Sequence, residues 1–140
     1  MATGRGDFPN QVNNSMGFPG ILKGALLVRA RKITDEMAIA AAYSVANFAQ
    51  KKWISPDYIM PTMDETEVFA EEAADVAMTA IANGVARIKP TREEVYNGKL
   101  ADIQEARAMI DLLMREKFIA PPAPEMLSDA VAKAVALVTK

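Results

Sequence analysis

The sequence predicts a mainly α-helical chain when it is considered alone. Of its 140 residues, 51% are hydrophobic, which is enough to build the core of one ordinary domain. In several long segments the apolar residues recur three and four positions apart, which is the spacing of one helix face. No segment of any length alternates apolar and polar residues as a half-buried strand does, so extended backbone is expected only at residues 1–3 and 85–88.

The first helix is predicted to begin at about Pro9. Asp7 can accept hydrogen bonds from the exposed amides of a first turn, and proline suits the first helical position. Glycine and proline at residues 17–20 predict a bend, and the apolar residues 21–28 predict that a second helical segment follows it.

Two helices are predicted in the middle of the chain. Thr34 is the expected N-cap of a helix over residues 37–50, which is so rich in alanine that most of its circumference is expected to be covered. The next helix is predicted over residues 67–82, because its apolar residues fall on one face. Asn83 and Gly84 supply a left-handed stop for that helix.

Two further helices are predicted towards the C-terminus. Thr91 and Glu94 have the spacing of a capping box and begin a long helix, which prolines at 121, 122 and 124 end. A terminal amphipathic helix is predicted over residues 126–138. The buried stripe of the long helix is expected to consist of Leu100, Ile103, Ala106, Ile110, Leu113 and Met114.

The composition excludes several classes of function. There is no cysteine and no histidine, so the chain alone has no disulfide, no Ser-His-Asp triad and no cysteine- or histidine-ligated zinc. The formal net charge of -2 gives no field that attracts nucleic acid. No apolar run approaches the roughly 20 residues that cross a bilayer. We therefore expect a cytoplasmic protein with no nucleic-acid partner and no membrane association.

Four carboxamides lie within five residues near the N-terminus: Asn10, Gln11, Asn13 and Asn14. Each amide donates and accepts hydrogen bonds without carrying charge, so the cluster suits a carboxylate or the amide of a cofactor. The alternative is that these amides only cap helices and satisfy a bend, and the residues alone favour neither interpretation. Glycines that permit close backbone approach flank the cluster at Gly4, Gly6, Gly17 and Gly20.

An acidic cluster precedes and opens the 67–82 helix. Five carboxylates in nine residues are a conceivable oxygen-ligand metal site, since hard cations prefer such ligands. A solvated first helical turn, favoured by the helix dipole, explains them better. The members of the cluster are Asp64, Glu65, Glu67, Glu71 and Glu72.

Residues 2–14, Ala-Thr-Gly-Arg-Gly-Asp-Phe-Pro-Asn-Gln-Val-Asn-Asn, together with the motifs that follow them, resemble the malic enzymes, which are NAD(P)-dependent malate dehydrogenases that also decarboxylate. The similarity is greatest to the shorter prokaryotic type. The resemblance implies the C-terminal helical portion of an α/β Rossmann-like NAD(P)-binding domain over residues 1–120. Residues 121–140 are then a proline-rich connector and a terminal helix. The motifs that follow lie at residues 17–21, 24–26, 33–37, 58–64 and 84–88.

The same resemblance implies roles for residues of the opening motif. Asn13 matches the asparagine that binds malate, and Asn14 is the second candidate for contact with malate or nicotinamide. Thr3, Gly4 and Asn14 are expected to contact the NAD or NADP cofactor. The family's catalytic tyrosine and lysine, its Mg²⁺ or Mn²⁺ ligands and its glycine-rich cofactor loop are expected outside this chain, so no catalytic or metal residue is assigned here.

The expected function follows from that resemblance. The chain is expected to take part in the oxidative decarboxylation of malate to pyruvate and CO2. It is expected to be inactive alone and to form the C-terminal part of a larger protein. Its expected partners are the missing N-terminal part of the enzyme and further copies in a homo-oligomer. The alternative is a non-catalytic helical interaction or assembly module that keeps the ligand-binding segment only as structure.

Overall fold

The computed structural model describes residues 2–121 and 123–138, and it is mainly helical. Within those residues there is no β-strand, only two isolated bridges, which join Thr3 to Gln11 and Ser55 to Tyr58. The chain divides into two compact units, the first ending at Gln104 and the second beginning at Glu105. The helices are α1 (Phe18–Leu27), α2 (Asp35–Lys51), α3 (Glu67–Ala82), α4 (Arg92–Arg115) and α5 (Pro124–Val138), with a short 3-10 helix at Asn14–Met16 before α1.

The first helix does not begin at Pro9, so that prediction is wrong. Asn10 adopts a left-handed conformation, with φ of 61°, and Asn13 is extended, with φ of -107° and ψ of 142°. The Asp7 carboxylate accepts a hydrogen bond of 2.8 Å from Arg5 Nε and caps no helix. This ion pair and the bridge to Thr3 keep residues 3–12 irregular, and the first α-helix begins at Phe18.

Helix α3 is the centre of the first unit and has the predicted bounds. It packs against both α1 and α2, and its small side chains let the neighbouring helices approach closely. Gly84, with φ of 68°, ends the helix as predicted. Its fully buried apolar residues are Val68, Ala70, Ala73, Ala74, Val76, Ala77 and Ala80.

Helix α2 begins at its predicted cap, where the backbone N–H of Met37 donates to Thr34 Oγ1 at 3.3 Å. The expectation that most of its circumference is covered is wrong. Met37, Ala41 and other residues of one face are buried, while Ile39 and Tyr43 on the rest of the helix are 54% and 67% exposed. The described part of the chain supplies neighbours on one side of this helix only.

Helix α1 packs on α3 at glycine positions. A Cβ atom added at Gly24 would lie 2.6 Å from the carbonyl oxygen of Ala73 and 2.9 Å from Cβ of Val76. A Cβ added at Gly20 would occupy the space of the Glu72 carboxyl group. The two glycines, one helical turn apart, therefore permit an interhelical approach that side chains would prevent.

The capping box of α4 is present as predicted. The N–H of Thr91 donates to Glu94 Oε2 at 2.7 Å, and the N–H of Glu94 donates to Thr91 Oγ1 at 3.2 Å. The helix continues through Gly98. It ends at Arg115, before the prolines that were predicted to end it, one of which, Pro122, lies outside the described residues.

The predicted buried stripe of α4 is only partly covered. Leu100, Ile103 and Leu113 are half-buried, whereas the other three predicted members, Ala106, Ile110 and Met114, are exposed. In the second unit the apolar residues of α5 are exposed as well, among them Met126, Leu127, Val131, Val135 and Leu137.

Replacing Gly24 with alanine should destabilise the first unit. The added methyl group meets backbone of α3, which cannot move away as a flexible side chain can, so the free energy of unfolding should fall by about 1–3 kcal/mol. Gly98→Ala is the matched control, because no atom lies within 4 Å of its added Cβ. That change should raise stability by about 0.5–1 kcal/mol through helix propensity. Equal effects of the two substitutions in chemical denaturation would contradict close packing at Gly24.

Candidate functional site

The N-terminal segment folds back so that Thr3 and Gly4 lie beside the carboxamide cluster. The N–H of Val12 donates to the carbonyl oxygen of Thr3 at 2.8 Å, and the N–H of Thr3 donates to the carbonyl oxygen of Asn10 at 3.4 Å. Gln11 Nε2 donates to the carbonyl oxygen of Gly4 at 3.3 Å. Main-chain hydrogen bonds and the Gln11 side chain thus bring Thr3 and Gly4 next to Asn10 and Gln11.

Asn10 is a structural member of the cluster. Its side chain is buried, with Nδ2 donating to the carbonyl oxygen of Pro56 at 2.7 Å and Oδ1 accepting from the N–H of Ile59 at 2.6 Å. These bonds join residues that are more than 45 positions apart and fix the loop between α2 and α3. For Asn10, the interpretation as an amide that satisfies a bend is therefore correct.

Asn13 and Asn14 are placed differently, because both are exposed and both line a cavity of about 540 Å³ in the first unit. Asn13 Oδ1 accepts a hydrogen bond of 3.0 Å from the N–H of Ser15 and so caps the 3-10 helix. This bond fixes the orientation of the amide and leaves its two N–H donors available. The Asn14 side chain makes no hydrogen bond with another described residue.

The cavity combines apolar walls with these two carboxamides. Such a site holds an apolar ring or chain by burial and orients it with a few polar groups. Asn13 also lines a smaller adjoining cavity of about 200 Å³, next to Asn10 and Tyr58. The apolar walls of the larger cavity include Met16, Phe18 and Ile21 from the 3-10 helix and α1, Ala41 and Val45 from α2, and Met60 from the following loop.

The acidic cluster is not simply a solvated helical turn, and Glu65 is the first correction. Its carboxylate accepts from the N–H of Thr62 and from Lys52 Nζ, both at 2.7 Å, and from the hydroxyl of Tyr58 at 2.9 Å. Burial alone would raise the pKa of Glu65, but Lys52 and the two hydrogen bonds lower that pKa to about 2. Burial and the nearby carboxylate raise the pKa of Tyr58 to about 12.

Glu71 also belongs to a network. Its carboxylate lies 2.6 Å from Arg92 Nη2 and 3.3 Å from Lys51 Nζ. Arg92 pairs in addition with Asp75, at 2.9 Å, and so connects the start of α4 to α3. Burial opposes ionisation of Glu71, but the two cations together hold its pKa below the ordinary value.

Glu72 is the largest departure from the predicted solvated turn. It is 0% exposed, and neither carboxyl oxygen has a hydrogen-bond partner within the part of the chain that the structure describes. Burial raises its pKa to about 8. The sequence carried a signal, because position 72 falls three residues after Phe69 and four before Val76, on the buried face of α3.

Residues 2–121 and 123–138 contain neither a metal-binding cluster nor a membrane-spanning helix. No group of three or more histidine, cysteine, aspartate or glutamate side chains is arranged to hold a metal ion. None of the helices in that part of the chain combines the length and the hydropathy that crossing a bilayer requires.

Comparison with known proteins identifies the class as that of NAD-binding domains, since residues 2–110 match the family model described as malic enzyme, NAD binding domain. The chain belongs to the malic enzyme NAD-binding domain family. A curated relative, the bifunctional malic/malolactic enzyme of Bacillus subtilis (strain 168), is 47% identical over 95 residues, which are 68% of this chain and 23% of the relative.

Solved structures agree with this assignment. The crystal structure of Entamoeba histolytica malic enzyme superposes with a TM-score of 0.95 and 58% identity, over 99% of this chain and 29% of that one. The malic enzyme from Pyrococcus horikoshii Ot3 gives a TM-score of 0.76 and 43% identity, over 82% and 26% of the two chains. The chain spans between 15% and 29% of the length of these relatives and solved structures. The prediction of a helical portion of this domain is confirmed.

Asn10→Gly should destabilise the first unit while keeping the left-handed backbone that residue 10 requires. Both side-chain hydrogen bonds to the loop are lost, so the free energy of unfolding should fall by about 1–3 kcal/mol. Asn14→Gly is the control, because it removes an exposed amide without such bonds and should change stability by less than about 0.5 kcal/mol. Thermal unfolding that finds the two variants equally stable would exclude a structural role for Asn10.

Glu65→Gln should lower stability in a pH-dependent way. Because the folded-state pKa of Glu65 is about 2, below its ordinary value of 4.5, its ionisation stabilises the folded state above pH 4.5. That contribution is lost as the pH falls from about 4.5 towards 2. At pH 7, wild type should therefore unfold at a higher temperature than the variant. This difference in unfolding temperature should become smaller as the pH is lowered towards 2. The control Glu67→Gln, at an exposed position, should unfold at the same temperature as wild type.

Proposed function

We propose that the chain forms the substrate-facing edge of an NAD(P)-dependent malic enzyme and acts together with the rest of such an enzyme. The reaction is oxidation of malate by hydride transfer to the nicotinamide, followed by decarboxylation to pyruvate and CO2. Membership of the family supports this proposal. The observation that carries it is the exposure of Asn13 and Asn14 together at an apolar cavity, while Asn10 beside them is buried.

Asn13 suits recognition of a carboxylate. Its Oδ1 is occupied by the N–H of Ser15, so the side chain presents N–H donors to a ligand. A neutral amide keeps the same hydrogen bonds while the substrate loses a hydride and then CO2, because the amide itself never changes charge. We assign Asn13 to a malate carboxylate, and we assign Asn14 beside it to malate or to the nicotinamide.

Thr3, Gly4 and Asn14 fit the neutral amide end of a dinucleotide. A Cβ added at Gly4 would have only the carbonyl oxygen of Val12 within 4 Å, at 3.8 Å, so the backbone there is open to a flat group. The exposed Asn14 carboxamide offers both a donor and an acceptor. NAD or NADP, when bound, supplies the hydride acceptor, and these residues orient it.

The remaining chemistry is assigned to other parts of the enzyme. From membership of the family, we assign the metal ligands, the acid and the base to the parts of the enzyme outside this chain. The chain alone should therefore give no turnover with malate, NAD(P) and Mn²⁺. Turnover by the purified chain would contradict the assignment of these catalytic groups to other parts of the enzyme.

A chimera tests the role of Asn13. In it, the chain replaces the matching segment of the Bacillus subtilis relative, and malate oxidation is followed through NAD(P)H absorbance. Asn13→Ala should weaken malate use by about tenfold or more in kcat/KM, as expected for a lost hydrogen bond to a charged group. The matched control is Asn47→Ala, which removes an exposed carboxamide of α2 outside the larger cavity.

The results separate two functions. Unchanged kinetics of the Asn13→Ala chimera would overturn the assignment of malate binding to that residue. A chimera that assembles but never oxidises malate would instead favour the helical assembly module, to which the exposed apolar residues of α5 are suited. Light scattering then measures the molecular mass of the isolated chain with and without malate or NAD. A mass that changes with ligand supports ligand binding, whereas self-association that does not depend on ligand supports the assembly module.

A further inference from the structure

The carboxyl group of Glu72 lies where α1 packs on α3. It occupies the space left by the missing side chain of Gly20, and its Oε1 lies 3.6 Å from the position that a Cβ of Gly17 would take. Gly17 is itself part of the wall of the 540 Å³ cavity, one turn of chain from Asn14. A group that titrates is thus buried directly behind the segment that carries the exposed carboxamides.

Among residues 2–121 and 123–138, no charged side chain pairs with this carboxyl group. The ionisable residue of α1 is Lys23, which pairs with Asp102 of α4, and Lys99 is the second α4 cation near that pair. The 3-10 helix Asn14–Met16 carries no charge. The remaining charged groups of the two helices are Asp35, Glu36 and Lys51 of α2 and Glu67, Glu71 and Asp75 of α3, and none is hydrogen-bonded to Glu72. No charged side chain of α4 is hydrogen-bonded to Glu72 either, and Arg92 pairs with Glu71 and Asp75 instead.

We infer that Glu72 is a proton-dependent latch, which lets α1 pack on α3 when it is protonated and loosens α1, with the Asn13 and Asn14 segment, when it ionises. A neutral carboxylic acid is tolerated at a buried site, whereas a carboxylate with no partner is costly there. Ionisation is therefore coupled to exposure of the group to water. Because α1 covers it through Gly20, exposure requires α1 to move away from α3.

The direction of the pH dependence follows from burial. The packed form has a pKa for Glu72 of about 8, above the ordinary value of 4.5 that applies when α1 has opened. The packed form therefore holds its proton more tightly, and opening becomes easier as the pH rises. The opening equilibrium should increase by up to about tenfold per pH unit between these two values, and it should be flat below and above them.

Hydrogen exchange of the α1 amides in the 140-residue chain tests the latch. Protection factors are measured at pH 5.5, 6.5 and 7.5, with each exchange rate corrected for the intrinsic rate at that pH. In wild type, the protection factors of the α1 amides should fall at each increase in pH. Glu72→Gln, which cannot ionise, should show no such loss, while the exposed Glu67→Gln control should behave like wild type. Equal pH dependence in Glu72→Gln and wild type, or no dependence in wild type, would overturn the inference.

A second measurement needs no variant. With ¹³C-labelled glutamate in the wild-type chain, one carboxyl resonance should titrate well above the rest, near pH 8. If all glutamates titrate below pH 6, the latch is excluded even where Glu72→Gln fails to fold. Neither experiment contains malate or cofactor, so their outcome is independent of the proposed function. The expectation that ionisation of Glu72 also changes ligand binding by Asn13 and Asn14 does rest on the proposed function.

Discussion

The close packing of α1 on α3 is the contact on which the rest of the first unit depends. It exists because Gly20 and Gly24 carry no side chains where backbone and carboxyl atoms of α3 approach. Once α1 is seated, the 3-10 helix before it is fixed, and α2 on the other flank of α3 closes the cavity. The position of two surface asparagines is in this way set by two glycines up to eleven residues further along.

The amides of the opening motif differ in the hydrogen bonds that they make within the protein. The Asn10 side chain holds the loop before α3 through its hydrogen bonds to Pro56 and Ile59. That loop contributes Met60 to the wall of the cavity. Asn13 has a mixed role, since its oxygen caps a helix while its N–H groups stay available. Asn14 has no structural bond among the described residues. Of the two interpretations that the sequence leaves open, the structural one holds at Asn10, and ligand binding by Asn13 and Asn14 is our proposal.

Helix boundaries that depend only on neighbouring residues agree with the sequence, whereas features that depend on distant contacts do not. The bounds of α3 and the Thr91 capping box depend on neighbours within four residues, and both were predicted. The false helix start at Pro9 fails because pairing with Thr3 and a contact 46 residues away outweigh a local cap signal. The exposure of Ile110 reflects the small number of neighbours that the described chain provides for α4, which periodicity alone does not report.

Glu72 shows what family likeness and local pattern both leave out. Its place on the buried face of α3 follows from its spacing, but its lack of a hydrogen-bond partner among the described residues depends on how α1 packs over it. A crystal structure of the chimera with bound malate and NAD would show directly whether Asn13 contacts the substrate. We expect a malate carboxylate oxygen within hydrogen-bonding distance, about 3 Å, of Asn13 Nδ2. Malate bound with no contact to Asn13 or Asn14 would contradict the proposed role of this segment.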